Sequence, residues 1–145
     1  VFLGRLDVET RSLAYAGAGH QAYLVARHGT TRVLRAASLP LGIEKTLDNS
    51  VTSTISLEPG DILVVPTDGV EEAMSGSERQ FGQDHMLDLG RDNRDKTAAE
   101  IVDRLFRTAR VFAEGRPQAD DITAVVIKVL PAAFAKTADS PEGGG

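Results

Sequence analysis

The chain contains no cysteine, so disulfide staples, thiolate metal sites and a cysteine nucleophile are all excluded. Its three histidines, His20, His28 and His85, are too scattered for a histidine-rich zinc site. No run reaches the roughly 18–20 apolar residues that cross a bilayer. The opening Val1-Phe2-Leu3-Gly4-Arg5 lacks the basic-then-apolar layout of a secretory signal. Basic residues are outnumbered, with 16 Lys and Arg against 21 Asp and Glu, and the net charge of −5 is the wrong sign for a nucleic-acid backbone. These absences predict a cytoplasmic domain that contacts neither nucleic acid nor membrane. What is present is an ordinary globular balance, 41% hydrophobic and 26% charged over 145 residues, enough for one core and one domain.

The first half reads as strands. Val1–Glu9 turns at Thr10-Arg11 into Ser12–Gly17, a hairpin; Gln21–Arg27 turns at His28-Gly29 into Thr31–Arg35. Ala36–Ser50 has no period and is expected to be a loop. Val51–Leu57 alternates apolar and hydroxyl residues, the pattern of a half-buried strand. Glu58-Pro59-Gly60-Asp61 is a turn, and Ile62-Leu63-Val64-Val65 reads as a strand buried on both faces. Met74–Leu89 offers only a short amphipathic turn, interrupted by Ser75-Gly76-Ser77-Glu78, which suggests a hinged flap. Thr97–Ala113 carries a capping box, Thr97-Ala98-Ala99-Glu100, and an apolar stripe of Ala98, Ile101, Val102, Leu105, Ala109 and Phe112 at helical period. Ile122–Leu130 is rich in β-branched residues and is a strand. The expected domain is 1–130, followed by a disordered tail at 131–145.

Chemistry is sought where carboxylates meet apolar strands. Asp68 follows Ile62–Val65, and Glu72 lies four residues on, so a helix starting here would put both acids on one face. A divalent metal would offset their repulsion; equally, acids suit the first turn of any helix. Asp120-Asp121 stand at the mouth of the last strand, where a loop pair with one cap and one solvated acid is the plain alternative. Neighbouring strands could bring the two acidic tips together, as hard oxygen-ligand sites require. Ala16-Gly17-Ala18-Gly19-His20 ends a strand with small residues that let backbone approach closely.

In order along the chain, Tyr15-Ala16-Gly17-Ala18-Gly19-His20, Leu39-Pro40-Leu41-Gly42-Ile43, Leu57-Glu58-Pro59-Gly60-Asp61, Thr67-Asp68-Gly69-Val70-Glu71-Glu72-Ala73, Phe81-Gly82 and Asp120-Asp121-Ile122-Thr123 resemble the motifs of one family. It is the SpoIIE/RsbU-like branch of the metal-dependent (PPM) protein serine/threonine phosphatases. The resemblance spans residues 1–130 and implies an α+β fold, an α/β/β/α sandwich of antiparallel sheets flanked by helices, incomplete at the N-terminus. It implies hydrolysis of phosphoserine or phosphothreonine by a water activated between two Mn²⁺ or Mg²⁺ ions, with no enzyme nucleophile. The substrate it implies is a phosphorylated regulatory protein of the anti-anti-sigma (STAS) type. Carried onto this sequence, Asp68, Asp120, Asp121 and Glu72 become the metal-ligand candidates. Gly69, Gly19, His20 and Thr123 become near-site structural residues; His20 stands where some relatives carry aspartate.

One departure shapes the expectation. The family's Asp-x-x-Gly metal motif lies upstream of the Ala-Gly-His region, and no aspartate here has glycine three positions later. A chain lacking that acid is expected to be weak or inactive alone. The alternatives are a non-catalytic phosphatase-like interaction module, or an acidic domain with a structural Ca²⁺ or Mg²⁺ site. Unpaired edges at Val1–Glu9 and Ile122–Leu130 would invite strand exchange or a homodimer.

Overall fold

A computed structural model of the chain describes residues 1–43, 52–114 and 121–131. The tail beyond Pro131, the latter part of the 36–50 loop through residue 51, and residues 115–120 lie outside these residues. Among the described residues, seven strands and three helices follow in the order β1 (Phe2–Asp7), β2 (Ser12–Gly17), β3 (Ala22–Val25), β4 (Thr31–Leu34), β5 (Ser53–Ser56), β6 (Ile62–Pro66), α1 (Asp68–Glu71), α2 (Gly82–Asp92), α3 (Ala98–Phe112) and β7 (Ala124–Lys128).

The strands form two antiparallel sheets, β1-β2-β5 and β4-β3-β6-β7. Side-chain alternation splits the core between them. Tyr23 and Val25 of β3 and Ile62 and Val64 of β6 face the helices, where they meet Val70, Phe81, Met86, Leu87, Ile101 and Leu105. Their neighbours Ala22, Leu24 and Leu63 face the other way, onto Leu13, Tyr15 and Ile55 of the smaller sheet. The continuous apolar run of Ile62–Val65 is thus explained by position: β6 lies between β3 and β7 in its sheet and between helices and strands across it. Helix, sheet, sheet is the layering among the described residues. As expected, β1 and β7 each lie at a sheet edge.

The capping box of α3 forms in full: Glu100 N–H donates to the Thr97 hydroxyl at 3.2 Å, and Thr97 N–H donates back to the Glu100 carboxylate at 2.8 Å. Ile101, Leu105 and Ala109 of the predicted stripe are buried against the sheet; burial of a leucine such as Leu105 contributes about 1.5–3 kcal/mol. The amphipathic turn expected near Phe81–Leu89 is instead an 11-residue helix. Gly82 and Gly90 dilute its apolar period, yet Gly90 is what lets it dock, since a Cβ there would come within 2.8 Å of a Val25 methyl. The Ser75–Glu78 segment ahead of it is folded on itself. Buried Ser75 donates its N–H to the Arg79 carbonyl, its hydroxyl accepts from Arg79 N–H, and Met74 bridges to Gln80.

Candidate active site

The antiparallel register of β6 and β7 pairs Pro66 with Ala124, so the residue after one strand and those before the other share an edge of the sheet. Thr67 fastens that edge. Its N–H donates to the Thr123 carbonyl at 2.8 Å, and its hydroxyl accepts from Thr123 N–H at 2.9 Å. The same hydroxyl lies 3.1 Å from the Asp121 carbonyl. Thr67 occupies the N-cap position of α1, but its side chain makes no capping bond; the hydroxyl serves β7 instead. The fold thereby brings Asp68 and the Asp121–Thr123 segment to one place, although they are far apart in sequence.

Asp68 opens α1 and is exposed, with 66% of its side chain accessible. His20 Nδ1 stands 3.5 Å from its Oδ1, and His20 Nε2 is 2.5 Å from the Pro66 carbonyl. Both partners are acceptors, and a neutral imidazole can donate to only one of them. His20 is held here by the turn before it. Gly19 has φ of +66°, and a Cβ on it would lie 2.3 Å from the Pro40 ring, so the Ala-Gly-His turn and the Leu39–Ile43 loop pack as one unit. Gly19 N–H donates to the Ser38 carbonyl at 2.9 Å within that unit.

Glu72 caps the C-terminus of α1, its N–H donating to the Asp68 carbonyl at 2.8 Å; this sets it one turn beyond Asp68, and it is exposed. Gly69 is buried within that turn. Asp121 and Thr123 are exposed at the neighbouring tip, and Asp120 lies outside the described residues. Among the described residues, no group of three or more acidic or imidazole side chains is gathered closely enough to hold a metal ion.

Sequence reasoning passed over a second set of residues behind this edge. Tyr23 of β3 is 1% exposed and donates its hydroxyl to Glu71 Oε1 at 2.7 Å, while Gln21 Nε2 donates to the Tyr23 oxygen at 2.5 Å. Burial, then the hydrogen bond to Glu71 and its negative charge, push the Tyr23 phenol well above its ordinary range, so it remains a hydroxyl donor. Thr67, too, was visible only as a hydroxyl beside an aspartate, a pattern shared by countless turns.

A family model for Stage II sporulation protein E (SpoIIE) matches residues 1–130. The chain belongs to the SpoIIE family. Similar proteins include Protein IcfG of a Synechocystis strain, 26% identical over 128 residues, a match covering 88% of this chain and 20% of the relative. Among solved structures, the SiaA-PP2C domain of Pseudomonas aeruginosa superposes with a TM-score of 0.78 at 25% identity, over 88% of this chain and 50% of that one. The PP2C phosphatase domain of SpoIIE from Bacillus subtilis, with a fragment of its regulatory domain, matches in fold, with a TM-score of 0.73 at 24% identity over 88% of this chain and 37% of that one. The chain therefore spans half or less of the length of these relatives. Its two sheets and helical layer are those of a PP2C-type, phosphatase-like domain of the SpoIIE family, and the predicted antiparallel sandwich is borne out. No helix among the described residues is long and apolar enough to cross a membrane.

Proposed function

We propose that this SpoIIE-family domain is the C-terminal part of a metal-dependent phosphatase acting on phosphoserine or phosphothreonine of a cytoplasmic regulatory protein of the anti-anti-sigma (STAS) type. Asp68, Asp120 and Asp121, with Glu72, are the proposed ligands for Mn²⁺ or Mg²⁺. The donor chemistry fits: exposed carboxylates are hard oxygen ligands, and Asp68 has no lysine or arginine within ion-pair distance among the described residues. When bound, a divalent pair supplies Lewis-acid activation of water and neutralises phosphoryl oxygens.

The chain's own residues prepare that edge. Thr67 fixes the spacing of the two acidic tips, and His20 places its Nδ1 3.5 Å from the Asp68 carboxylate. Gly19 lets the loop carrying Pro40 close against the turn before His20. The observation that carries the reading is the hydrogen-bonded junction of Thr67 with Thr123 and Asp121, which joins two acid-bearing segments at one sheet edge. The upstream Asp-x-x-Gly acid belongs to the same reading, so we expect turnover by this chain alone to be weak or absent. The test is p-nitrophenyl phosphate hydrolysis with Mn²⁺ by the chain extended upstream through such a motif. Activity abolished by Asp68→Ala supports the proposal; an Asp68→Ala variant as active as its parent removes it.

A second reading, a non-catalytic interaction module, is favoured by one feature. Leu39, Leu41 and Ile43 are exposed on the loop that packs against Gly19, beside the acidic edge. A phosphatase-dead extended chain that still captures a STAS-type protein, and loses it on Leu41→Asp, would select this reading. Pairing of two copies through the β1 or β7 edge is a further part of the proposal, and light scattering that gives a monomer at two concentrations removes it.

A further inference from the structure

Helix α1 is a single turn, and the side chain expected to cap it is engaged elsewhere, because the Thr67 hydroxyl serves β7. Two attachments remain in view. Val70 is fully buried in the helix-facing core. Glu71, next to it, is tied to β3 through Tyr23. The tie is directional: the Tyr23 oxygen accepts from Gln21 Nε2, so its proton is left to point at Glu71 Oε1. The anchor is rigid, since Tyr23 is 1% exposed in a strand paired on both sides, to β4 and to β6.

We infer that Tyr23 is the positioning residue of the acidic turn, holding α1 through Glu71 so that Asp68 and Glu72 stand in fixed register with the tip of β7. Gln21 aims the hydroxyl, Tyr23 carries the restraint from the sheet, and Glu71 transmits it to the turn. Glu71 is itself excluded from ligation by this role, as its Oε1 is engaged on the inner side of the helix while Asp68 faces solvent. The consequence for metal capture rests on the phosphatase reading proposed above; the restraint on the turn does not.

The test separates the two. Amide exchange is followed at Val70 and Glu72, whose N–H groups bond the Thr67 and Asp68 carbonyls within the turn, and at Leu105 in α3 as reference. In Tyr23→Phe, exchange at Val70 and Glu72 rises roughly tenfold, the size of one hydrogen bond to a charged group, while Leu105 is unchanged. Glu71→Ala gives the same rise, the double variant adds nothing, and Glu71→Gln, whose amide oxygen still accepts the hydroxyl, restores slow exchange. The Mn²⁺ concentration giving half-maximal thermal stabilisation rises several-fold in Tyr23→Phe and returns in Glu71→Gln. Unchanged exchange in Tyr23→Phe, or an equal rise at Leu105, overturns the positioning role. An exchange effect in a protein whose melting ignores Mn²⁺ upholds the positioning role and removes the metal reading.

Discussion

Strand β6 carries an aspartate just beyond each end, and the two have opposite surroundings. Asp61 is 5% exposed, and its carboxylate accepts Arg27 N–H at 2.9 Å and Glu58 N–H at 2.8 Å. It closes the turn that enters the strand. Asp68, at the exit, has 66% of its side chain in solvent and the His20 Nδ1 3.5 Å from its carboxylate. A carboxylate whose oxygens are filled by the backbone is part of the scaffold. One that stands mostly in solvent, with only a histidine ring beside it, is available to a ligand. The same residue type at the two ends of one strand is divided between architecture and chemistry by what the neighbouring backbone donates.

Substitution should expose that division. Asp61→Ala takes the charged acceptor away from the part-buried Arg27 and Glu58 N–H groups, and should cost about 3 kcal/mol in urea unfolding, or roughly 10 °C of melting temperature. Gly19→Ala comes next: its positive φ alone should cost roughly 1–2 kcal/mol, and the clash with Pro40 should add to this while loosening His20. Thr97→Ala, which removes the α3 cap far from the acidic edge, should cost about 1 kcal/mol and leave any Mn²⁺ response intact. Asp68→Asn should stay within about 0.5 kcal/mol of the parent yet lose that response. Equal losses for Asp61→Ala and Asp68→Asn would erase the distinction between the two ends. The smallest effect is on pH. Thr97's backbone N–H, then its hydroxyl, hold the exposed Glu100 carboxyl below its ordinary value of 4.5. A depressed carboxyl stabilises above that value and loses its contribution as pH falls through the folded one, so α3 should show a shallow acid-side weakening that Glu100→Gln removes.

Much of this architecture was legible because its signals are local. Alternation around Ile55, the apolar run of Ile62–Val65 and the Thr97 capping box each encode their own element, and each appears where its pattern lies. Helix α2 was read as a mere turn because its fit depends on Gly90, whose missing side chain means something only once Val25 is opposite. The acidic edge was half legible. Strand order can bring Asp68 toward Asp121, but the hydroxyl that joins their segments and the tyrosine behind them depend on contacts between residues 56 and 48 positions apart. Glu71 and Glu72 look interchangeable in sequence, and only the helix turn sends one inward to Tyr23 and leaves the other outside.

The Thr67 bolt has an architectural corollary. It joins a side-chain hydroxyl and a backbone N–H of one segment to the backbone of another 56 residues on, so the gap between the acidic tips is set by those bonds and the strand register and not by the length of the intervening chain. Surface loops between the packed helices of that interval are free to change length without retuning the distance between the tips.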